Sequence, residues 1–391
     1  MLSSKNRWKT PKLPEVLITL AVLSAFVNAV ATAALAIGLT VYLFCNEERR
    51  AQLLSVPHAR WLLPFAALAL TIPALWGNWV GVLVGFLVVC FLCLILYLTA
   101  HMTPALQRRL LDLVCLLSIP AALIAFVQRY ALGIERVSSL FWNPNYYAAA
   151  LEFVLLIAAN QLLSRKGRLE RVYSLSLLLV NLVALDATGC RSAWVALLIG
   201  MVALLALNRK PLQAVLVLLG GAGAIYLSTM IPELLPRMTH LGPAADVRVD
   251  IWRQALSYIR ENPLFGTGTM AYFNLSAGAY PHAHNLYLDM LLNYGLVGCL
   301  MLAGFLLPLL RGALRGLVST RTDGSPYALL FAATAALLTH GLTDVTILWP
   351  QTAVLFSLLL SCSAFQHMPV VMLPPLPLPT AAKQPAYRVP H

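Results

Sequence analysis

An apolar run that continues to about Leu310 opens with the stretch PHAHNLYLD, Pro281 to Asp289. An imidazole titrates near neutral pH and is the natural group to take a proton from a hydroxyl. His284, at the first turn of the helix expected there, is therefore the candidate general base, with His282 and Asn285 beside it to orient the site. Such a histidine is reachable both from water and from a substrate carried in the membrane. Taken alone, it serves equally well as a residue that satisfies a backbone group at a helix start.

Arginines supply the second half of the chemistry. In TGCRSAW, Gly189 breaks one helix and Ser192 can cap the next, so Arg191 stands at a helix N-terminus, where free N–H groups and a guanidinium suit phosphate oxygens. A lone interfacial anchor is the alternative. Arg248, in VRVDIW, lies one helical turn before Ile251 and Trp252, on the side that packs against the protein, and an inward arginine needs an anionic partner. A snorkelling side chain or a structural salt bridge competes with that reading. Arg129 and Arg136, weaker candidates of the same kind, precede FWNPNYY, in which Asn143-Pro144-Asn145 reads first as a turn capping a helix from Tyr146. Asp344, in HGLTDVT, is an ionisable group at the end of an apolar span and a secondary candidate. A structural pairing with a nearby arginine is an equal alternative. Together these residues suit transfer of a group from an anionic leaving group whose growing charge is met by fixed cations. No carboxylate cage for a metal is evident: Asp246 and Asp250 are the close acidic pair of the outer loops, and Asp250 belongs to the solvated helix face. Neither a metal nor an organic cofactor is expected.

The elements that position these groups are membrane helices. Of 391 residues, 60% are hydrophobic and 11% charged, with a mean hydropathy of +0.78, far from the roughly 25% charged of a soluble domain. Apolar runs predict an all-α polytopic membrane protein with about twelve spans, near 14–29, 30–45, 60–76, 80–99, 110–127, 145–163, 172–187, 193–207, 211–229, 285–310, 326–343 and 346–365. The first two could be one long helix. With both termini cytoplasmic, twenty of the 27 Lys and Arg residues fall on the cytoplasmic side and seven on the outer side, as the positive-inside rule requires. The net charge of +12 then reflects topology and requires no nucleic-acid partner. The basic N-terminus reads as preceding a retained first span, in preference to a cleaved signal.

Residues 1–391 form a single integral membrane unit with one long outer loop, 231–283, and a Pro-rich cytoplasmic tail, 369–391, expected to be disordered. Within the loop, Ile251, Trp252, Ala255, Leu256 and Ile259 predict the buried face of a helix, and Asp250, Arg253, Ser257 and Arg260 its solvated face. Asn262-Pro263, Gly266 and Gly268 end it. Cys90 and Cys93 have metal-knuckle spacing but lie inside a continuous apolar helix with no second pair, so they are expected to pack.

The pattern HAHNLYLDMLLNYGLVG, preceded by Arg248 in VRVDIW and by NPLFGTG, resembles the shared region of the O-antigen ligase and O-antigen polymerase superfamily of bacterial membrane glycosyltransferases. The likeness covers about residues 246–300. It combines an arginine, a tryptophan four residues on, a Pro-Leu-x-Gly turn, a His-Asn pair and a Gly-x-x-Gly. FWNPN and TGCRSAW are looser matches, and Asn293 stands where such proteins often have an acidic residue. The resemblance implies a GT-C-like helical fold at the bacterial inner membrane with its active site facing the periplasm. It further implies an inverting, metal-independent transfer of a glycan from undecaprenyl diphosphate, with Arg191 and Arg248 on the diphosphate and His284 as base. For a ligase the acceptor is a sugar hydroxyl of lipid A-core; for a polymerase it is the next carrier-linked repeat. The short chain and modest loop lean toward ligase. A transporter would also suit many spans with a few ionisable residues, but no paired repeat is evident and the polar groups collect at one membrane face.

Overall fold

In the computed structural model, residues 12–230, 242–319 and 323–367 are described. The tail 369–391 and the first part of the long loop, 231–241, lie outside the described residues. Every regular element among the described residues is a helix. In chain order they are α1 (Leu13–Ser24), α2 (Ala29–Phe44), α3 (Glu47–Leu54), α4 (Leu62–Leu75), α5 (Trp79–His101), α6 (Pro104–Phe126), α7 (Pro144–Ser164), α8 (Arg168–Thr188), α9 (Arg191–Leu207) and α10 (Pro211–Met230), then α11 (Gly242–Glu261), α12 (Ala271–Leu275), α13 (Leu286–Val318), α14 (Ser325–His340) and α15 (Pro350–Leu360).

Each of the twelve apolar runs contains a helix. Six described helices are long and apolar enough to cross a membrane, Pro57–Leu75, Trp79–His101, Pro104–Ala131, Pro144–Ser164, Arg168–Thr188 and Leu286–Val318, and α2 with α3, bent by 104°, makes a seventh if counted as one span. The first apolar run is two helices. Asn28 separates them because its side chain accepts the Ala31 N–H at 2.8 Å and caps α2.

α7 is the centre of the bundle. Its residues from Tyr146 to Gln161 are all buried, and it packs against α8, α9 and α14, while α9 and α14 pack along each other. A helix buried all round must partner its polar groups inside the protein. Gln161 Nε2 donates to Asp112 at 2.9 Å, Asn160 Oδ1 accepts from Ser325 at 3.0 Å, and Glu152 meets His340 Nδ1 at 2.5 Å.

The long α13 breaks at Gly295, whose φ of 59° and ψ of −171° are not helical. The segment after α11 fills that break. Gly268 N–H donates to the Asn293 carbonyl at 2.9 Å, and the Leu296 and Val297 N–H groups donate to the Pro263 and Leu264 carbonyls at 2.9 Å each. A Cβ on Gly295 would lie 2.4 Å from the Leu264 backbone, and one on Gly266, also at positive φ, 2.7 Å from that of Asn293. The glycines of NPLFGTG and NYGLVG are thus two sides of one backbone contact, which satisfies the polar groups a kinked helix frees. Asn293 stitches it further, donating to Asp289 at 2.8 Å and accepting the Ala271 N–H at 3.0 Å.

α11 lies against α13. Ile251 and Ala255 are buried and Trp252 and Ile259 half-buried, while Asp250, Arg253, Ser257 and Arg260 are exposed. Leu256 departs from the expectation. At 42% exposure it points away, because the covered stripe is narrow and is filled by the Ile251–Ala255 row. Cys90 and Cys93 are both buried within α5.

Candidate active site

Asp344 is the hub of a polar cluster between helices. It sits in the non-helical stretch after α14, with 2% exposure, and its Oδ1 lies 3.3 Å from His284 Nδ1 and 3.5 Å from His282 Nε2. The same oxygen accepts the Val345 N–H at 2.9 Å, and Oδ2 accepts from Asn145 Nδ2 at 2.5 Å. Behind Asn145 stands Arg136, which donates to Asn145 Oδ1 at 2.5 Å and to the Thr188 carbonyl at 3.2 Å. The expected alternative for Asp344, a direct pairing with an arginine, is therefore not what is found: an asparagine stands between the two charges.

His284 is held in an unusual conformation. Its φ of 46° is left-handed, which side-chain-bearing residues adopt at a cost of about 1–3 kcal/mol unless the surroundings impose it. They do so at both ends. The His284 N–H donates to His282 Nδ1 at 3.2 Å, and the His284 carbonyl accepts the Trp252 indole N–H at 3.3 Å. Nδ1 is thereby aimed at Asp344, close enough for an ion pair but off line for a well-formed hydrogen bond. The ring stays 23% exposed, and among the described residues no hydrogen bond occupies Nε2.

His282 plays a different part. Because its Nδ1 accepts a backbone N–H, its proton resides on Nε2, the atom that faces Asp344 and, at 3.4 Å, the Tyr146 hydroxyl. Burial lowers this imidazole to about 4; Asp344 opposes the shift, while His284 and the Arg248 guanidinium reinforce it. For Asp344, burial raises the carboxyl, but the His284 side chain and the charges of the histidines more than offset it and hold it below the usual carboxylate range. His282, His284 and Asp344 also place one ligand atom each within 4.8 Å of one another, a spacing a metal ion could use. Coordination needs a bare Nε2 on His282, the atom to which the backbone contact assigns the proton, so the trio fits hydrogen bonding better than metal ligation.

Arg248 projects from the buried side of α11, half-buried, near enough for its charge to act on His282. Among the described residues it has no hydrogen bond and no carboxylate partner. Arg191 is the first residue of α9. It follows Cys190, whose Sγ lies 3.8 Å from His340 Nε2, and comes three residues after Thr188, the residue to which Arg136 is bonded. The two ends of the cluster thus bracket the α9 N-terminus.

Two candidates are helix caps. Asn143 Oδ1 accepts the Asn145 N–H at 2.8 Å at the start of α7. Asn285 Oδ1 accepts the Tyr287 and Leu288 N–H groups at 3.0 and 3.1 Å, and its Nδ2 donates to the Leu342 carbonyl at 3.0 Å, tying α13 to the stretch that carries Asp344. Sequence reasoning passed over Glu152 and His340, a fully buried pair whose second residue lies one turn before Asp344 and whose carbonyl accepts the Asp344 N–H at 3.1 Å. The signal available was a single carboxylate in the apolar run of α7. Asp289, 2% exposed, was missed as well; it accepts the Ala283 N–H at 3.0 Å and so holds the histidine loop against α13.

Helices long and apolar enough to span a bilayer, with His284 and Asp344 meeting between them and Arg248 of α11 close enough to act on His282, make this a polytopic membrane protein with a buried polar cluster. The family model described as O-antigen ligase matches residues 174–303, a third of the chain, which contain Arg191, Arg248, His282 and His284. Over that stretch the chain is similar to the O-antigen ligase family, and the likeness supports a glycosyltransferase-type function in O-antigen assembly. No curated protein matches the chain.

Proposed function

We propose that this protein is an O-antigen ligase that transfers a glycan from undecaprenyl diphosphate to a sugar hydroxyl of lipid A-core at the periplasmic face of the bacterial inner membrane. The observation that carries this reading is the meeting of His284 with Asp344 near Arg248, which has no hydrogen bond or carboxylate partner among the described residues; His284 and Arg248 lie inside the stretch matched by the family model, and Asp344 follows it. In this reading the twelve helical runs cross the membrane with both termini cytoplasmic, and the histidine loop lies on the outer side.

The geometry supports the following chemistry. Asp344 holds Nδ1 of His284, leaving Nε2 to take the proton of the acceptor hydroxyl, in the manner of a carboxylate that orients an imidazole base. The acceptor oxygen attacks the anomeric carbon on the face opposite the diphosphate, and the anomeric C–O bond breaks with inversion. The electron pair leaves on undecaprenyl diphosphate, whose charge is met by Arg248 and Arg191. His282 and Asn145 keep Asp344 in place, with Arg136 behind Asn145. This route uses fixed cations where other enzymes use a divalent metal.

The test is transfer by purified protein from an undecaprenyl diphosphate-linked glycan to lipid A-core with EDTA present, for wild type and His284→Ala. Product from the wild type alone supports a metal-independent ligase with His284 as base. Elongation of the carrier-linked glycan without any lipid A-core product would make the protein a polymerase of the same superfamily.

A further inference from the structure

A second site lies at the other end of α13. From Leu296, just past the break at Gly295, to Arg311 the helix advances roughly 22 Å at 1.5 Å per residue, and in the proposed topology this end faces the cytoplasmic side, opposite the histidine loop. Here a cavity of about 940 Å³ opens between α5, α13, the short turn Pro57–Trp61 and the turn after α15. Its walls include Trp61, Leu96, Leu307 and Phe331, and its cations are Arg60, Arg311 and Arg315.

The lining is ordered as an amphiphile is. Along α13, Gly304, Leu307 and Pro308 give an apolar stretch, and Arg311 and Arg315 follow on the same helix face, four residues apart. Leu307 and Leu314 are 59% and 50% exposed, so the apolar side is open to surrounding lipid. Gly304 shapes the wall: a Cβ there would lie 2.5 Å from the Trp61 ring, and its absence lets that ring close against α13. The Arg60 guanidinium lies 5.5 Å from the same ring. Among the described residues none of the three arginines has an acidic partner. His58, also in the lining, has a buried Nε2 with no hydrogen bond. Three uncompensated guanidiniums above an apolar cleft call for an anionic headgroup with apolar chains.

We propose that this cavity binds an anionic phospholipid, with its phosphate on Arg60, Arg311 and Arg315 and its acyl chains along Trp61, Leu96 and Leu307. The assignment stands apart from the transfer reaction. Native mass spectrometry of the full-length protein, delipidated in detergent and then offered phosphatidylglycerol or phosphatidylcholine, tests it. Wild type is expected to retain one phosphatidylglycerol at least tenfold more strongly than phosphatidylcholine. The double variant R311Q/R315Q is expected to lose that preference, and R108Q, at an exposed arginine of α6 outside the cavity, to keep it. R60Q, on a different element, carries the same test should the double variant fail to fold. Equal retention of the two lipids, or a preference unchanged in both R311Q/R315Q and R60Q, would overturn the proposal. Displacement of the lipid by glycerol phosphate at equal concentration would also overturn it, by showing a site for free phosphate.

Discussion

Replacing Asp344 by Asn tests the coupling on which the proposed mechanism depends. The substitution keeps the size of the side chain but removes the charge and turns one of its two acceptor oxygens into a donor. Asp344 now accepts from Val345 and Asn145 and faces both histidines, so an amide N–H must point at one of these donors. A unit charge 3.3 Å from a protonated His284 is worth about 5 kcal/mol at an effective dielectric constant of about 20. Proton transfer is only partly complete in the transition state, and taking about half of that value gives a loss of roughly 2–3 kcal/mol, or about 30- to 150-fold in kcat. KM for the donor should change little, because the diphosphate is read by arginines. The assay is steady-state transfer to lipid A-core by purified wild type and Asp344→Asn, with thermal unfolding in the same detergent to show that both are folded. A folded variant with kcat within threefold of wild type would refute the argument and leave Asp344 a purely structural residue.

Four further outcomes follow from the same geometry. Arg248→Gln should lower kcat/KM by about 10²- to 10³-fold while leaving the unfolding temperature nearly unchanged, since no described hydrogen bond or ion pair is lost; an unaltered kcat/KM would remove Arg248 from the site. Glu152→Ala should destabilise by about 3–5 kcal/mol, because it strips a fully buried partner from His340, and an unchanged midpoint in denaturant would show that the contact contributes nothing to stability. Gly295→Ala should sharply reduce the yield of folded protein, given the 2.4 Å approach to the Leu264 backbone, whereas Gly220→Ala, with nothing within 4 Å, should be neutral or slightly stabilising. His282 is lowered from 6.5 to about 4 in the folded chain, so between those values the unfolded chain binds more protons, and stability is full above about pH 6.5 and falls by about 3 kcal/mol as the pH drops to 4. His282→Gln should flatten that slope in unfolding measurements from pH 7 to 4, and an equally steep slope in the variant would assign the loss to other groups.

What the sequence disclosed is what local patterns carry. Hydropathy marked each apolar helix, because a lipid-facing backbone has few alternatives to helix, and the break at Asn28 is the work of a capping side chain four residues past the end of α1. Arg248, Ile251 and Ala255 fell on one face of α11 because helical periodicity needs no knowledge of the rest of the chain. Leu256 shows the limit of such reasoning: periodicity locates an apolar stripe, but only the width of the covering surface decides how far round it burial extends. Span length shows another limit. The last apolar run predicts a helix over 346–365, yet α15 is regular only over Pro350–Leu360, since Pro350 sets its start.

The pairings were the illegible part, and the reason is distance along the chain. Asn145 and Asp344 are 199 residues apart, and Glu152 and His340 188; a lone carboxylate in an apolar run announces that a partner exists without saying which. The stretch 341–349 makes the point physically. It interrupts two apolar runs with non-helical backbone, and at the depth of a bilayer such backbone is tolerated only where protein or a polar cavity surrounds it. Here the surroundings are supplied by three other segments, since the Gly341 and Leu342 carbonyls accept from Leu286 and Asn285, while Asn145 and the two histidines meet Asp344. A break in the helical pattern that is stitched by polar contacts from other segments is costly to keep for packing alone, and this is the physical ground for placing the reaction there, with Arg248, which has no hydrogen bond or carboxylate partner among the described residues, and Arg191 to meet the charge of a substrate.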